Sequence, residues 1–310
     1  MVVGGRCRTC QTVENVQSPE RARCVHDVLP PGNMPMSSHS LISLSIGPVQ
    51  DFIASALRTR DLWFGSHMLS EVSKAAARAL HDAGATMIFP SVASGKELEP
   101  DTSLNVANRV IASLQGDVHR AIEDARHAAG TRLQGFIEYA RGEFGRRVRP
   151  ATLRQPQWDL QNDIADLLEI YAVAVAWDGQ DYVGARERLD RLTNARKNTR
   201  CFSQPLFDAD DARGRLPKSS LDGRRETVLP KDLSRLARRK LRMSDNEQLD
   251  LMGVVKRLAG KDPDQFTPTT RIACDEWVQR VWLANDQAFT PIIPLLSRLV
   301  DAGLVTRVKG

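Results

Sequence analysis

The stretch Leu41–Ser70, LISLSIGPVQDFIASALRTRDLWFGSHMLS, decides how this chain folds. Leu41 to Ile46 is a short apolar run, the composition of a buried strand. Gly47-Pro48 has turn chemistry and ends it. From Val49 to about Leu80 apolar residues recur at helical spacing, with a break expected near Trp63–Ser66 and a stop before Gly84. A strand, a tight turn and a helix in succession expose backbone N–H groups at a helix start, where anions such as phosphate are favoured. Many α/β proteins contain that unit, so by itself it assigns no ligand.

Outward from this stretch the pattern continues. Thr86–Phe89 reads as a short strand stopped by Pro90, and Ser91–Leu104 as a polar loop. Asn108–Leu114 alternates apolar and polar residues like a strand, and Gly116 to about Arg147 is a long helix. A further helical stretch near Trp158–Leu168 precedes Ile170–Trp177, IYAVAVAW, an apolar and β-rich strand. The order β-α-β-β-α-β is the ferredoxin-like pattern of the α+β class, two helices on one face of a four-stranded antiparallel sheet. Polymerase and cyclase palms, RNA-binding modules and small regulatory domains all use it, so the fold does not select a function.

The second half reads differently. Tyr182–Asn198 is an Arg-rich helix, followed by the acidic run Asp208, Asp210 and Asp211. Leu216–Pro230 has turn composition around Ser219–Gly223, and Lys231–Arg242 is a short basic helix. Asp245–Ala259 is amphipathic, with Ser244 as the expected N-cap and Gly260 as the stop. Cys274–Val300 is helical with an interruption around Pro291–Pro294. The formal net charge of the 310 residues is +5, but 17 Lys/Arg against 8 Asp/Glu fall between Arg186 and Arg242. Such a segment is either a solvated face or a surface for a phosphate backbone or an acidic partner. Aromatic residues are only 5% of the chain and none are arrayed here, so base stacking on this part is not indicated. The expected organisation is an irregular extension over 1–40, a palm over 41–180 and a basic, mainly helical linking region over 181–310.

No apolar run reaches the ~18 residues of a membrane span. Five cysteines and no secretory h-region point to a reducing, cytoplasmic setting rather than a disulfide scaffold. Three cysteines lie in the first forty residues. Cys7, Cys10, Cys24 and His26 supply four zinc-ligand types, but Cys-x-His is a poor second half-site. Met34 or Met36 is an alternative start, in which case 1–33 is an over-extended reading frame. The pairs His26-Asp27 and His81-Asp82 lack the further His and Asp that metal-dependent phosphohydrolases require, and read as incidental.

Ser45–Ile53, Arg58–Trp63, Gly65-Ser66 and Leu69-Ser70 together resemble the signature of the large polymerase/cyclase-like subunit of type III-B CRISPR effector complexes. Further similarities follow in order: Phe89-Pro90, Asn108-Arg109, Ala195–Lys197 with Arg200 and Phe202, Pro217–Gly223, and Leu249-Asp250 with Gly253–Leu258. The resemblance implies a first palm plus a linking helical region. It also implies a role in antiviral defence inside a ribonucleoprotein, with other effector subunits, crRNA and target RNA as partners. Full-length members make cyclic oligoadenylate from ATP through a GGDD metal motif on a second palm, some carry an N-terminal HD nuclease domain, and many have zinc-finger cysteines in the linking region. None of these motifs occurs here, and Ser219–Gly223 stands where the cysteines are often found. The expectation is therefore an N-terminal piece or a split subunit that is inactive alone, with ATP and Mg2+ or another divalent metal held only together with a second palm.

On the same resemblance, Ser45, Gly47, Pro48, Val49 and Gln50 form a nucleotide-facing turn, joined by Arg58, Arg60 and Asp61, unless those three form surface pairs such as Arg58 with Asp61. Trp63 reads as core or interface rather than a stacking residue. Arg196, Lys197, Arg200, Lys218, Arg224 and Arg225 are the candidates for RNA or partner contact. The competing readings are a free-standing cyclase-like enzyme, opposed by the missing carboxylate motif, and a ferredoxin-like RNA-binding module, opposed by the missing aromatic platform on Asn108–Leu114.

Overall fold

The computed structural model describes residues 39–199 and 216–260, with isolated helical positions at Glu276, Pro294 and Arg298. The sequence readings on Cys7, Cys10, Cys24, His26, Arg200 and 208–211, and nearly all of 274–300, lie outside the described residues.

Four strands form one antiparallel sheet: β1 (His39–Gly47), β2 (Thr86–Phe89), β3 (Arg109–Gln115) and β4 (Glu169–Trp177), in the order β2-β3-β1-β4. β1 is central and pairs with β4 along its whole length, from His39 opposite Trp177 to Gly47 opposite Glu169. Side chains alternate across a strand. Ile42, Leu44 and Ile46 therefore enter the main core, while Leu41 faces the other side.

β1 leads into α1 (Gln50–Ala54) and α2 (Thr59–Asp82), and β3 leads into α3 (Val118–Val148). α2 and α3 pack together over the face carrying Ile42 and Leu44. This is the α+β, palm-like arrangement expected from the element order. The break in the first helical stretch lies elsewhere than expected. α2 runs unbroken through Trp63–Ser66, and the chain leaves the helix at Ser55–Arg58 instead. A single glycine costs a helix only about 1 kcal/mol. Here Gly65 is buried beside Phe52 and Ile53, where α1 packs closely on α2.

Two short helices, α4 (Gln155–Gln161) and α5 (Ile164–Leu167), precede β4. α6 (Tyr182–Asn198), N-capped by Asp181 on the Gly184 N–H at 2.8 Å, lies across the second face of the sheet. There Ala185 and Leu189 cover Leu41, Ile111, Val173 and Val175. α7 (Arg235–Lys240) and α8 (Leu251–Leu258) complete the described chain. α8 begins later than its amphipathic pattern predicts. Asp250, not Ser244, caps it, accepting from the Gly253 N–H at 3.0 Å. The residues before it are held to the preceding loop by backbone bonds, Val228 N donating to Leu249 O at 2.9 Å and Ser220 N to Gln248 O at 2.8 Å. Val228, Leu229, Leu251, Val254, Val255 and Leu258 then join the same core as α2 and α3. Among the described residues no helix is long and apolar enough to cross a membrane.

Candidate functional site

A cleft of about 970 Å³ opens beside the end of β1. Val49 and Ile53 form one wall, and Trp63, Ser66, His67 and Ser70 of α2 form the floor. The loop Asp101–Asn108 closes the second side, with Phe136 of α3 and Ala259-Gly260 after α8 completing it. That volume falls within the range of small-molecule sites.

The turn entering the cleft is anchored from behind. Ile46 N donates to Asn108 O at 2.8 Å, and Asn108 Nδ2 returns a bond to Ile46 O at 3.3 Å. This fixes where β1 ends, so Gly47, Pro48 and Val49 emerge half-buried and Gln50 exposed. Ser45 is buried on β1, paired across the sheet with Arg109 and Tyr171. Of the expected turn residues, Val49 lines the cleft.

The loop wall is held by an ion network. Glu71 accepts from Lys74 Nζ at 2.5 Å, from Arg132 Nη2 at 2.6 Å and from the Asp101 N–H at 3.0 Å. Arg132 also binds Asp101 at 2.8 Å, and Lys74 reaches Thr102 O at 3.1 Å. Burial pushes the Glu71 carboxyl up, but Lys74, the Asp101 N–H and Arg132 outweigh it and hold the pKa below the ordinary value. His67 stacks on Trp63, ring centroids 5.0 Å apart and 3° from parallel, and its pKa is lowered by burial against the opposing pull of Glu71 and Asp101. Trp63, expected as core or interface, is partly buried against the core and also lines the cleft.

His67, Glu71 and Asp101 bring one ligand atom each within 4.8 Å of the others, a spacing compatible with a metal ion. The charge balance does not fit one. Two carboxylates already face two cations, Lys74 and Arg132, and a divalent ion would have to displace Arg132 from both. Sequence reasoning passed over this network. The four-residue spacing of His67 and Glu71 was available as a signal, since it puts both on one helix face. Nothing local pointed to Asp101 or Arg132.

Of the other expected site residues, Arg58, Arg60, Asp61, Arg196, Lys218 and Arg225 have partners inside the fold. Asp61 is fully buried, and both its oxygens accept from Arg257 at 2.7 Å. Arg60 donates to Gly260 O at 2.6 Å, at the cleft edge. Arg58 lies 3.8 Å from Glu247 and is half exposed, and Asp61 takes Arg257, so among the described residues the expected Arg58–Asp61 pair is replaced by these two. Among the basic candidates, Arg196 is buried over the Tyr171 ring at 5.1 Å and donates to Thr199. Lys197 is exposed on α6. Lys218 lies 3.7 Å from Glu226, Arg225 donates to Asp166 O at 3.2 Å, and Arg224 is exposed on the same turn. They thus divide between α6 and the Pro217–Thr227 turn.

Residues 41–138 match the family model described as CRISPR-associated protein Cmr2, N-terminal. That match carries the resemblance read from Ser45–Ser70: this stretch of the chain has the N-terminal pattern of a Cmr2-type subunit. Two solved structures are similar in fold. The type III-B Cmr-beta cryo-EM structure of the apo state shares 17% identity at a TM-score of 0.50, over 73% of this chain and 32% of that one. Type III-B Cmr-beta bound to cognate target RNA shares 16% at a TM-score of 0.48, over 71% and 32%. The chain thus spans about a third of the length of those it matches. No curated protein matches it.

Proposed function

We propose that this chain supplies the first palm of a type III-B CRISPR effector's large subunit, and that its cleft contributes half of a composite ATP site. The observation that carries the reading is the position of the cleft: Val49, at the end of the Gly47–Val49 turn, borders a cavity of nucleotide size. The chemistry of the walls agrees. Trp63 and His67 offer stacked aromatic rings, while Ser66, Ser103, Asn105 and Asn108 offer neutral hydrogen-bonding groups. On this reading the catalytic carboxylates and their divalent metal belong to the second palm, and Glu71 and Asp101 act as wall supports. The chain then helps bind and position nucleotide within the assembled pair and carries no turnover of its own.

The scaffold role for crRNA and partner subunits falls to the exposed members of the basic set, Lys197, Lys218 and Arg224. Arg196 and Arg225 hold those elements in place through Tyr171, Thr199 and Asp166. The test is calorimetric titration of ATP into this chain assembled with a second-palm polypeptide and target RNA. Saturable binding that a cleft-filling Ser66→Trp abolishes supports the reading. Absence of binding in the assembled pair overturns it.

A further inference from the structure

Within the block Gly253–Leu258 stand two adjacent cations, Lys256 and Arg257, each only 1% exposed. Buried charges persist only where partners offset their desolvation. Neighbouring helix residues point about 100° apart, so the two reach different targets. Arg257 takes Asp61 of α2 and Glu247. Lys256 instead reaches α1. Its Nζ donates to Phe52 O and, at 2.8 Å, to Ser55 O, and it sits 4.3 Å from the centre of the Phe52 ring.

Those carbonyls lie at the end of a five-residue helix, where backbone acceptors lose their intrahelical donors. Too short to persist alone, α1 depends on tertiary contacts. Val49, just before α1, and Ile53, within it, line the cleft, as do Ala259 and Gly260 just beyond α8. We infer that Lys256 is a positioning residue for the cleft: by holding the Phe52 and Ser55 carbonyls it fixes α1, and with it the Gly47–Gln50 turn, against α2. The linking region therefore sets the shape of the palm's cleft through α8. Stability alone does not call for a lysine there. Burial pushes its ammonium down to about 8 against the opposing pull of Asp250, Asp61 and Asp222, so an apolar side chain of similar length is cheaper to bury.

The test is amide hydrogen exchange on the full chain, comparing wild type, Lys256→Met, Lys256→Arg and Leu189→Ala. Lys256→Met is expected to speed exchange over residues 50–58 by about tenfold or more, as the loss of two charge-assisted bonds requires, with β3 unchanged. Lys256→Arg restores protection, and Leu189→Ala, which loosens the opposite face of the sheet, leaves 50–58 as in wild type. Lys256→Gln keeps a donor for one carbonyl and falls between, so the series stands if Lys256→Met does not fold. Wild-type exchange at 50–58 in both Lys256→Met and Lys256→Gln, or equal acceleration by Leu189→Ala, overturns the inference. A second arm, ATP binding by the assembled pair, rests on the nucleotide reading. If wild type binds, Lys256→Met must weaken binding by about tenfold, and equal affinity overturns the positioning role. If wild type does not bind, the nucleotide reading fails, and exchange alone decides the role of Lys256.

Discussion

Arg257 on α8 grips Asp61 on α2 through two hydrogen bonds of 2.7 Å, with the side chains 1% and 0% exposed. The residues stand 196 positions apart, so the pair ties the end of the described chain to the helix beside the cleft. Glu247 shares the same guanidinium at 2.6 Å, and the Arg242 carbonyl takes its remaining amino group at 2.7 Å. Asp61→Ala is expected to lower stability by about 3–5 kcal/mol, because it strands a buried guanidinium. Denaturant unfolding checks this. Combining it with Arg257→Met must cost clearly less than the sum of the two single changes, since both remove the same interaction.

Lys256 sets an alkaline signature. Its folded pKa of about 8 lies below the ordinary 10.5, so between those values the unfolded chain binds more protons than the folded one. Stability from this group therefore rises with pH across that window, by an amount on the order of 3 kcal/mol when complete. The rise should disappear in Lys256→Met. Unfolding curves between pH 8 and 10.5 that are identical for the two proteins would contradict the assignment.

Glu71 sets the acid limb. Its folded pKa lies below the ordinary 4.5, so its contribution is complete above that value and is lost as pH falls through the folded one. Exchange protection of the loop 97–104 should fall in acid in wild type. Glu71→Gln should show weakened protection at every pH, without the acid step.

Two glycines should behave oppositely. A Cβ on Gly253 would sit 2.9 Å from Asp250 Oδ1 and 3.0 Å from Leu221 and Leu249, disturbing the cap of α8. Gly253→Ala should cost about 1–3 kcal/mol. A Cβ on Gly65 would meet nothing nearer than 3.5 Å, so Gly65→Ala should be neutral or stabilising by up to about 1 kcal/mol. Thermal unfolding of the two variants separates them.

The fold was legible because its signals are local. Leu41–Ile46, Thr86–Phe89 and Ile170–Trp177 announce strands by composition, and Gly47-Pro48 and Pro90 mark their ends. The same locality explains the misses. The helical periodicity of Asp245–Ala259 could not show that Leu249 is already paired with Val228, so Ser244 looked like the cap that Asp250 is. Arg58, Arg60 and Asp61 read as one cluster because they are neighbours in sequence, yet each has its partner about 190 to 200 positions away, in Glu247, Gly260 and Arg257. The cleft was half legible. The turn at Val49 could be found from its strand and Gly-Pro pair, but the wall at Asp101–Asn108 is a polar loop with no period, stapled by Glu71 and Arg132 from two different helices.

Charge reversal of Lys197, Lys218 and Arg224 together tests the scaffold role. If these side chains contact RNA phosphates, the assembled complex should lose affinity for RNA, with the salt dependence of log affinity shallower by up to about 3, or roughly one per phosphate contact removed. Filter binding across a salt series reads both quantities.

The most direct measurement of the central claim is ATP titration of this chain assembled with a second-palm polypeptide and target RNA, repeated with Ser66→Trp. Ser66 is exposed on α2 and lines the cleft, so the substitution fills the cavity without entering the core. Wild type should bind saturably, and Ser66→Trp should lose binding at unchanged thermal stability. ATP binding that persists in Ser66→Trp, or that never occurs in the assembled pair, would contradict that claim.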